Sequence, residues 1–324
     1  MKEKGISEAL FIISSPFQAI CALEAIDYYK ITSPHILLFD TPIIRKMTYP
    51  ILQDHGETCF LKVTGGGTLA IIKALLKQLN RNKYDIIFIG DYFSYFHYVT
   101  ALFMSKRHAR YIYLDDGNST LTIMPPSSRQ RGRSKRERKY LQIWDFFSNV
   151  KTIKKSFFSI YDLGEEFPFD VEKNTLSSFV GNNVNVQSGI YVIGTDSSFL
   201  HLKDRTYSDY LKALDKYIKE SYGEENVYYC PHRRDENDFH QLVDELGWHY
   251  RDSEYGVEID FLRKNIYPLL VVGFGSTALY TLKKIFSKTS IETIYIVFVE
   301  DHMNNAYRAI EKEFSQYGIR TIFI

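Results

Sequence analysis

The chain has 324 residues, of which 45% are hydrophobic and 24% are charged, and its formal net charge is +1. This length predicts about two domains, and the balanced charge excludes the broad basic surface with which many proteins bind nucleic acid. The three cysteines are widely separated and form no metal-binding or redox motif, which favours a reducing, cytoplasmic setting.

In the first half of the chain, short apolar runs alternate with segments of helical periodicity. Strands are predicted at residues 9–14, 35–39, 85–90 and 110–114, and helices at residues 17–29 and 68–79. In the second of these helices, leucine and isoleucine recur every three or four residues, as on one face of an amphipathic helix. Apolar strands that alternate with helices indicate a parallel sheet covered on both faces.

The second half repeats this alternation. Strands are predicted at residues 189–194, 227–230, 268–272, 293–299 and 321–324, and helices at residues 207–221, 235–246, 276–285 and 302–317. A polar stretch at residues 167–189 separates the halves and predicts a domain boundary near residues 170–187, with domains at residues 1–175 and 186–324. The expected fold class is therefore α/β, with two Rossmann-like domains that face a central cleft.

Parallel α/β domains bind their ligands in loops just beyond the carboxyl ends of strands. In the first half, the loop at residues 14–18 (SSPFQ) either caps a helix or directs its N–H groups and Gln18 at an acceptor. The glycine-rich turn at residues 64–68 precedes a helix, as phosphate-binding turns do, but it matches no nucleotide-binding motif. Asp91 either caps the following helix or lines the cleft.

The fourth predicted strand ends in two adjacent carboxylates, Asp115 and Asp116, followed by Gly117. Aspartate at a strand end usually forms a cap or a turn. A metal site would require alternating aspartates or further carboxylates nearby, and this segment has neither, so we expect no metal. A base is the better catalytic role, in which one carboxylate takes a proton and the other orients it or tunes its basicity.

Two loops in the second half carry groups that suit an anion. Gly194 and Thr195 end a strand, where the glycine allows a ligand close and the hydroxyl binds phosphate or ribose, unless the segment is simply a turn. His232 and Arg233 follow the next strand. The guanidinium supplies charge and the imidazole can donate a proton, the alternative being a solvated basic turn.

A third loop in the second half, with Gly275, Ser276 and Thr277, leads from a strand into a helix. The N–H groups at the helix start and the two hydroxyls form a seat for a single phosphate. The second domain thus offers phosphate-binding groups and a histidine, and the first offers a carboxylate. That division suits transfer from a phosphate-activated donor to a nucleophile.

The order of these motifs resembles that of bacterial sialyltransferases, especially the lipooligosaccharide and capsule (polysialyltransferase-like) families. Those families carry an acidic pair with glycine, a histidine motif and a serine/threonine motif. Here the motifs stand at residues 115–117 (DDG), 231–233 (PHR) and 276–277 (ST), with further similarity at residues 15–18 and 257–259. The resemblance spans nearly the whole chain. One departure is that arginine follows the histidine, where the family has proline.

The resemblance implies a GT-B fold and an inverting, metal-independent reaction without a cofactor. The donor would be a CMP-activated nonulosonic acid, such as sialic acid, and the acceptor a glycan or glycolipid in capsule or lipooligosaccharide synthesis. The first domain would then be the acceptor side. There Asp115 would deprotonate the acceptor hydroxyl, with Gln18, Asp91 and Asp116 near the acceptor.

The resemblance likewise makes the second domain the CMP-sugar-binding side. His232 would protonate or stabilise the departing phosphate, which Ser276 and Thr277 would hold, and Glu258 would bind the cytidine or ribose. The remaining donor-binding residues would be Gly194, Thr195, Arg233 and Gly275. CMP carries one phosphate, so the reaction has no need of an ion that bridges a diphosphate.

Residues 129–139 (RQRGRSKRERK) hold seven basic side chains and one acidic, and an aromatic-rich segment follows at residues 140–147. This stretch is either a solvated loop or a contact with an anionic membrane surface or glycan. A glycan assembled on a lipid carrier would make either contact useful. We therefore expect a cytoplasmic protein with a peripheral contact at the inner face of the cell membrane.

Two other functions remain open from the sequence. One is a UDP-sugar-dependent transferase or epimerase of the same fold, which would have to recognise a diphosphate. The other is a non-catalytic protein that binds a glycan or nucleotide. Loss of turnover without loss of fold, on replacing the catalytic residues, would distinguish an enzyme from a binding protein.

Overall fold

The computed structural model describes residues 6–63, 68–78, 83–123, 142, 145–180, 186–195, 206–232, 239–288, 291–297 and 305–324. By their internal contacts, the residues fall into two compact units, Met1–Ser178 and Phe179–Ile324. Each unit has its own parallel β-sheet and its own hydrophobic core.

Within the described residues, the first unit contains a sheet of seven parallel strands. The strands are β1 (Glu8–Ile13), β2 (Ser33–Phe39), β3 (Glu57–Leu61), β4 (Tyr84–Ile89), β5 (Ser105–Leu114), β6 (Lys154–Ser159) and β7 (Asp170–Lys173). Their spatial order is β3-β2-β1-β4-β5-β6-β7. β1 is buried along all but its first residue, as expected for the interior strand of a covered parallel sheet.

The helices of the first unit are α1 (Pro16–Tyr28), α2 (Tyr49–Leu52), α3 (Thr68–Gln78), α4 (Tyr95–Met104) and α5 (145–150). A π-helical turn, Ile44–Thr48, runs into α2, and a 3₁₀ turn, Gly117–Thr122, follows β5. Local sequence explains where α1 begins. The Ser15 hydroxyl accepts the Gln18 N–H at 3.2 Å, and Pro16 occupies the first turn, where a missing N–H costs nothing.

The described part of the second unit contains a sheet of six parallel strands. They are β8 (Val186–Ile193), β9 (Val227–Cys230), β10 (His249–Tyr250), β11 (Tyr267–Gly273), β12 (Glu292–Val297) and β13 (Arg320–Phe323). Their spatial order is β10-β9-β8-β11-β12-β13.

The helices of the second unit are α6 (Tyr207–Tyr222), α7 (His240–Glu245), α8 (Val257–Arg263), α9 (Thr277–Ile285) and α10 (Asn305–Gln316). A capping box of Thr206 and Asp209 fixes the start of α6. Ser276 caps α9, because its hydroxyl accepts the Ala278 N–H at 3.3 Å.

The two sheets share one strand order. In each, the first strand lies in the middle, the next two lie on one side and the later strands on the other. This is the order of Rossmann-like domains, and it confirms the predicted α/β fold class. The order reverses between β1 and β4 in the first unit and between β8 and β11 in the second. Such reversals leave a crevice at the carboxyl ends of the strands, where ligands bind.

The structure adds strands and helices that the sequence patterns do not predict, namely β3, β6, β7, β10, α2, α4, α5 and α8. β7 lies inside the polar stretch at residues 167–189 that suggested a linker. It is the outermost strand of its sheet, and an edge strand tolerates the charged residues that hide a strand pattern. Of the helix predicted at residues 235–246, residues 239–246 are described, and they contain α7.

Candidate functional site

Two side chains meet at the carboxyl edge of the first sheet, beside the reversal of strand order. Gln18 lies in the first turn of α1, directly after β1, and Asp116 follows β5. The Gln18 Nε2 atom donates to Asp116 Oδ1 at 2.6 Å. Gln18 is 1% exposed, whereas Asp116 is partly exposed. The bond therefore orients a carboxylate that solvent can reach.

The other contacts of Gln18 determine which way its amide faces. Its Oε1 atom accepts the Ser14 backbone N–H at 2.8 Å and lies 3.1 Å from the Ser14 hydroxyl. A backbone N–H can only donate, so Oε1 must face Ser14 and the amide nitrogen must face Asp116. Gly90, just after β4, leaves room for the Gln18 side chain to extend to Asp116, because a Cβ on residue 90 would overlap the end of that side chain.

Asp115, the other member of the acidic pair, is fully buried. Its Oδ1 atom accepts the Ser159 hydroxyl and its Oδ2 atom the Ile160 N–H, both at 2.7 Å. Both oxygens are thus engaged at the end of β6, and the carboxylate ties β5 to β6. The role of base that the resemblance implied for Asp115 stays a prediction, and it would have to be filled by a fully buried carboxylate. Asp116 is the member of the pair that solvent can reach.

The turn after the acidic pair explains the glycine and the polar residues that follow it. Gly117 has a φ of +66°, a conformation that side chains disfavour. The Asp116 N–H donates to the Thr120 hydroxyl at 3.3 Å. The Tyr161 hydroxyl donates to Asn118 Oδ1 at 2.9 Å. These bonds hold the segment against the loop after β6 and fix the position of the Asp116 backbone.

His97 is a neighbour of Asp116 that sequence reasoning missed. It is 2% exposed, stacks on Phe39 with ring centroids 5.2 Å apart, and its Nδ1 atom accepts the Asp91 N–H at 3.2 Å. Burial lowers the pKa of His97 to about 4, and the negative charge of Asp116, which raises this pKa, offsets only part of the effect. The imidazole is therefore neutral at pH 7. In the sequence, the position of His97 after a predicted strand could have marked it as a site residue. Its apolar neighbours, however, give it the pattern of a buried core residue.

Asp91 lies at the same edge of the sheet, after β4. Its Oδ1 atom accepts the N–H groups of Phe93 and Ser94, at 2.7 and 3.0 Å. These bonds shape the turn that leads into α4. The N-cap of α4 is Ser94, whose hydroxyl accepts the His97 N–H at 3.3 Å, so Asp91 supports the turn before the cap and is not the cap itself. A direct contact of Asp91 with an acceptor stays a prediction.

In the second unit, two of the predicted residues adjoin at the carboxyl edge of the sheet. The Gly194 N–H donates to the Cys230 carbonyl at 2.8 Å, which joins the ends of β8 and β9. A Cβ on Gly194 would lie 2.9 Å from the His232 backbone nitrogen. The glycine thus allows His232, which is partly exposed, to lie directly beside the end of β8.

The start of α9 lies at the same edge, on the other side of the order reversal. Gly273, at the end of β11, packs so closely on β8 that a Cβ would lie 2.7 Å from the Ile193 carbonyl oxygen. Gly275 has a φ of +58°, and Gly275, Ser276 and Thr277 are partly exposed. The positive end of the α9 dipole therefore lies at the same edge of the sheet as the end of β8, which Gly194 follows, and such a helix start can bind an anion.

Two neighbouring tyrosine hydroxyls hold the backbone of Thr195. Its N–H donates to the Tyr207 hydroxyl at 3.3 Å, and that hydroxyl lies 3.2 Å from the hydroxyl of Tyr229. The loop after β8 is thereby fastened to α6 and β9. A contact of the Thr195 hydroxyl with phosphate or ribose stays a prediction.

Glu258 lies in the first turn of α8 and is 8% exposed. Its Oε1 atom accepts the Thr281 hydroxyl at 2.8 Å, a bond that joins α8 to α9. This contact gives the carboxylate a structural role that the sequence did not indicate. The predicted contact with cytidine or ribose therefore stays a prediction, and it would have to be made by a nearly buried group.

Some predictions fall on residues outside the described ranges. They concern Arg233, the glycine-rich turn at residues 64–67 and most of the basic and aromatic stretch at residues 129–147. Among the described residues, no group of three or more His, Cys, Asp or Glu side chains is placed to hold a metal ion. None of the described helices combines the length and apolar character needed to cross a bilayer.

No protein-family model and no curated protein matches this chain. Its fold is similar to solved structures. The α/β-galactoside α-2,3-sialyltransferase of the luminous marine bacterium Photobacterium phosphoreum has a TM-score of 0.57 and 12% identity, over 98% of this chain and 99% of that chain. The UDP-GlcNAc 2-epimerase of Neisseria meningitidis, bound to UDP-GlcNAc, has a TM-score of 0.50 and 11% identity, over 94% and 85%. At such identities the likeness concerns the fold, and it confirms the predicted GT-B type.

Proposed function

We propose that this protein is an inverting, metal-independent glycosyltransferase that moves a nonulosonic acid, such as sialic acid, from CMP to a glycan hydroxyl. The order of the sequence motifs supports the donor class, and the GT-B type of fold suits sugar transfer. The observation that carries the proposal is the partly exposed Asp116 carboxylate, held by Gln18 at the reversal of strand order.

On the acceptor side, we assign the base to Asp116 instead of Asp115. The acceptor oxygen forms a bond to the anomeric carbon of the donor while its proton passes to the Asp116 carboxylate. Gln18 fixes the direction of that carboxylate, and Asp115 holds the strand end that carries it. Asp91 acts through the turn before α4 and so shapes the acceptor side without touching the reacting atoms.

On the donor side, the bond between the anomeric carbon and the phosphate oxygen breaks, and its electron pair leaves with CMP. His232 protonates or stabilises that phosphate, and Ser276 and Thr277 hold it at the start of α9. Gly194 and Gly275 let the phosphate come close to the backbone, with Thr195 and Arg233 beside it. Glu258 contacts the cytidine or ribose.

The proposal requires no metal ion for the transfer itself. CMP has a single phosphate, and its negative charge can be met by the α9 dipole and the His232 and Arg233 side chains. The adjacent aspartates also differ from the alternating pair that commonly binds a metal with a sugar diphosphate. Transfer should therefore persist when divalent ions are removed.

The test is CMP release from CMP-sialic acid by the purified protein, with and without EDTA. We expect slow donor hydrolysis without an acceptor, undiminished by EDTA and lost in His232→Ala. The matched control is His249→Ala, an exposed histidine on β10 of the same unit. If a panel of CMP-activated sialic, legionaminic and pseudaminic acids gives no CMP release and CMP gives no thermal shift, the donor assignment fails.

The same assay separates the rival functions. A UDP-sugar-dependent transferase or epimerase would turn over UDP-GlcNAc or a related donor and leave the CMP sugars untouched. A non-catalytic binding protein would keep its affinity for a nucleotide or glycan in both His232→Ala and Asp116→Asn. The likeness to an epimerase concerns the fold, so it favours neither rival over the transferase.

We further propose that the acceptor belongs to a capsule or lipooligosaccharide and that transfer takes place at the inner face of the cell membrane. Such glycans are assembled on lipids, so a peripheral contact would bring the protein to its acceptor. The basic stretch at residues 129–139 is the sequence feature that suggests this contact.

A further inference from the structure

A row of aromatic side chains crosses the outer strands of the second sheet. Tyr191 on β8, Tyr228 on β9 and His249 on β10 are partners in register. The rings of the two tyrosines are stacked with centroids 4.9 Å apart, and the Tyr228 and His249 centroids are 5.3 Å apart. Gly189 makes room for the row, because a Cβ there would lie 2.9 Å from the Tyr228 ring. Tyr191 is buried and His249 is exposed, so the row runs from the core to the surface.

The outer part of this row lines an open cavity of about 570 Å³. Tyr228 and His249 form one part of its lining, and Tyr250, Arg251 and Asp252 form the rest. These residues all belong to the second unit. The cavity has the volume of a small-molecule site and the lining that such sites usually have, which is aromatic surface with a few polar groups.

The loop between β10 and α8, which forms one wall of the cavity, is fixed at both ends. At its start, the Arg251 N–H donates to the Tyr229 carbonyl at 2.8 Å. Further along, the nearly buried Asp260 carboxylate accepts the Ser253 hydroxyl at 2.6 Å and the Glu254 N–H at 2.8 Å. The wall of the cavity is therefore held in place before any ligand arrives.

The guanidinium of Arg251 has no counter-ion in the part of the chain that the structure describes. It is partly buried, lies 5.8 and 5.9 Å from the ring centroids of Tyr191 and Tyr228, and donates from Nη1 to the Tyr191 hydroxyl at 3.4 Å. The Tyr228 hydroxyl and the His249 imidazole likewise form no hydrogen bond with a described residue. Because a charge withdrawn from water is normally paired, an unpaired guanidinium at a cavity indicates an anionic ligand.

We propose that this cavity binds an acidic sugar, with the sugar carboxylate on Arg251 and sugar hydroxyls on Asp252 and Tyr228. The guanidinium offers parallel N–H donors that match a carboxylate. The Asp252 carboxylate can accept from sugar hydroxyls, whereas it would repel the double charge of a terminal phosphate. The choice of a nonulosonic acid rests on the proposed function, and the cavity would then hold such a residue of the acceptor glycan, away from the reacting hydroxyl.

The cavity is separate from the phosphate seat predicted in the same unit. That seat, at the start of α9, follows β11, whereas the cavity adjoins β10, the outermost strand of the sheet. Two strands, β9 and β8, lie between them, so β10 and β11 are about 14 Å apart at the usual strand spacing. The phosphate of a donor and an acidic sugar can therefore occupy the two places together.

The test is binding of the methyl α-glycoside of sialic acid to the full chain, followed by ligand-observed NMR. We expect this sialoside to bind, and methyl β-galactoside, which lacks a carboxylate, to bind about tenfold more weakly or less. Arg251→Gln should weaken sialoside binding by about the same factor. Tyr228→Phe keeps the aromatic row and should weaken it by a smaller factor, which remains measurable if Arg251→Gln unfolds. The control is Arg308→Gln, at an exposed arginine of α10, which should keep the parental affinity.

Equal affinity for the two glycosides, or full affinity for the sialoside in a folded Arg251→Gln, would overturn the inference. So would competition by CMP that depends on Arg251, since that would identify a nucleotide site. Sialoside binding that is lost in Asp116→Asn and kept in Arg251→Gln would place the sugar at the candidate site instead. Failure of the proposed function looks different. The parent chain would then release no CMP from any CMP-activated sugar, while sialoside binding and its loss in Arg251→Gln would remain measurable.

Discussion

At the residue scale, the adjacent aspartates perform different tasks. Asp115 is enclosed by the end of β6, and Asp116 meets Gln18 at the accessible edge of the sheet. The sequence predicts an acidic pair at a strand end, and the structure shows that Asp116 is the member that solvent can reach. That distinction was not available from the sequence, because it depends on Ser159 and Ile160, which lie at the end of a strand that the pattern does not predict.

The first residue-scale prediction concerns Gly90. In Gly90→Ala, the new Cβ overlaps the Gln18 amide, so Gln18 must move and Asp116 loses its orientation. We expect transfer to fall by about 10²-fold, the cost of misplacing a reacting group by roughly 1 Å. The comparison is Gly164→Ala, where the Cβ meets no atom within 4 Å. Equal transfer rates in the two folded variants would show that the reach of Gln18 is irrelevant to catalysis.

The second concerns pH. Burial holds the pKa of His97 at about 4, below its ordinary 6.5, so between these values the unfolded chain binds the proton that the folded chain does not. Stability should therefore fall as pH drops from 6.5 to 4, by about 3 kcal/mol from this group. Across that pH range, thermal unfolding should show a smaller loss of stability in His97→Gln than in the parent chain. His55→Gln, at an exposed histidine, should retain the parental slope, and an unchanged slope in His97→Gln would refute the assignment.

At the element scale, the sequence predicts the strongly apolar strands and misses strands that are polar or short. β6 is among the missed strands although it lies between β5 and β7, because it begins with Lys-Lys-Ser. Interior strands such as β1 and β9 are continuous apolar runs, and the patterns place them within a residue or so. The edge strands β3, β7 and β10 are polar or very short, so their pattern is weak. α8 has one turn of charged residues at its start, and its pairing with α9 through Glu258 is a tertiary contact that no local pattern reveals.

The bond between Glu258 and Thr281 gives an element-scale prediction. Thr281→Val leaves a nearly buried carboxylate without this donor and should destabilise the second unit by about 1–3 kcal/mol. The measurement is urea unfolding followed by the fluorescence of Trp248 in a Trp144→Phe background. Ser253→Ala serves as the comparison. It removes a different hydroxyl that donates to a carboxylate, that of Asp260, and leaves the bond between Glu258 and Thr281 intact. The prediction fails if Thr281→Val leaves the unfolding curve unchanged.

At the scale of the whole molecule, both units follow one plan, and both groups of candidate residues lie where the strand order reverses. The motif order in the sequence anticipated the fold type, and the division between a carboxylate and an anion-binding group stays a prediction. For the proposed function, the choice of sugar and of acceptor hydroxyl was not predictable. That choice depends on how individual side chains shape a pocket, and Arg233 among others lies outside the described residues.

The most direct test of the account is transfer of sialic acid, or of whichever CMP-activated sugar supports CMP release, by Asp116→Asn. We expect transfer to fall by about 10²–10⁴-fold, the usual contribution of a general base, with little change in melting temperature. Asp162→Asn, at an exposed aspartate of the same unit, should leave transfer unchanged, and Asp115→Asn should lower the melting temperature first. Full transfer by a folded Asp116→Asn would contradict the account.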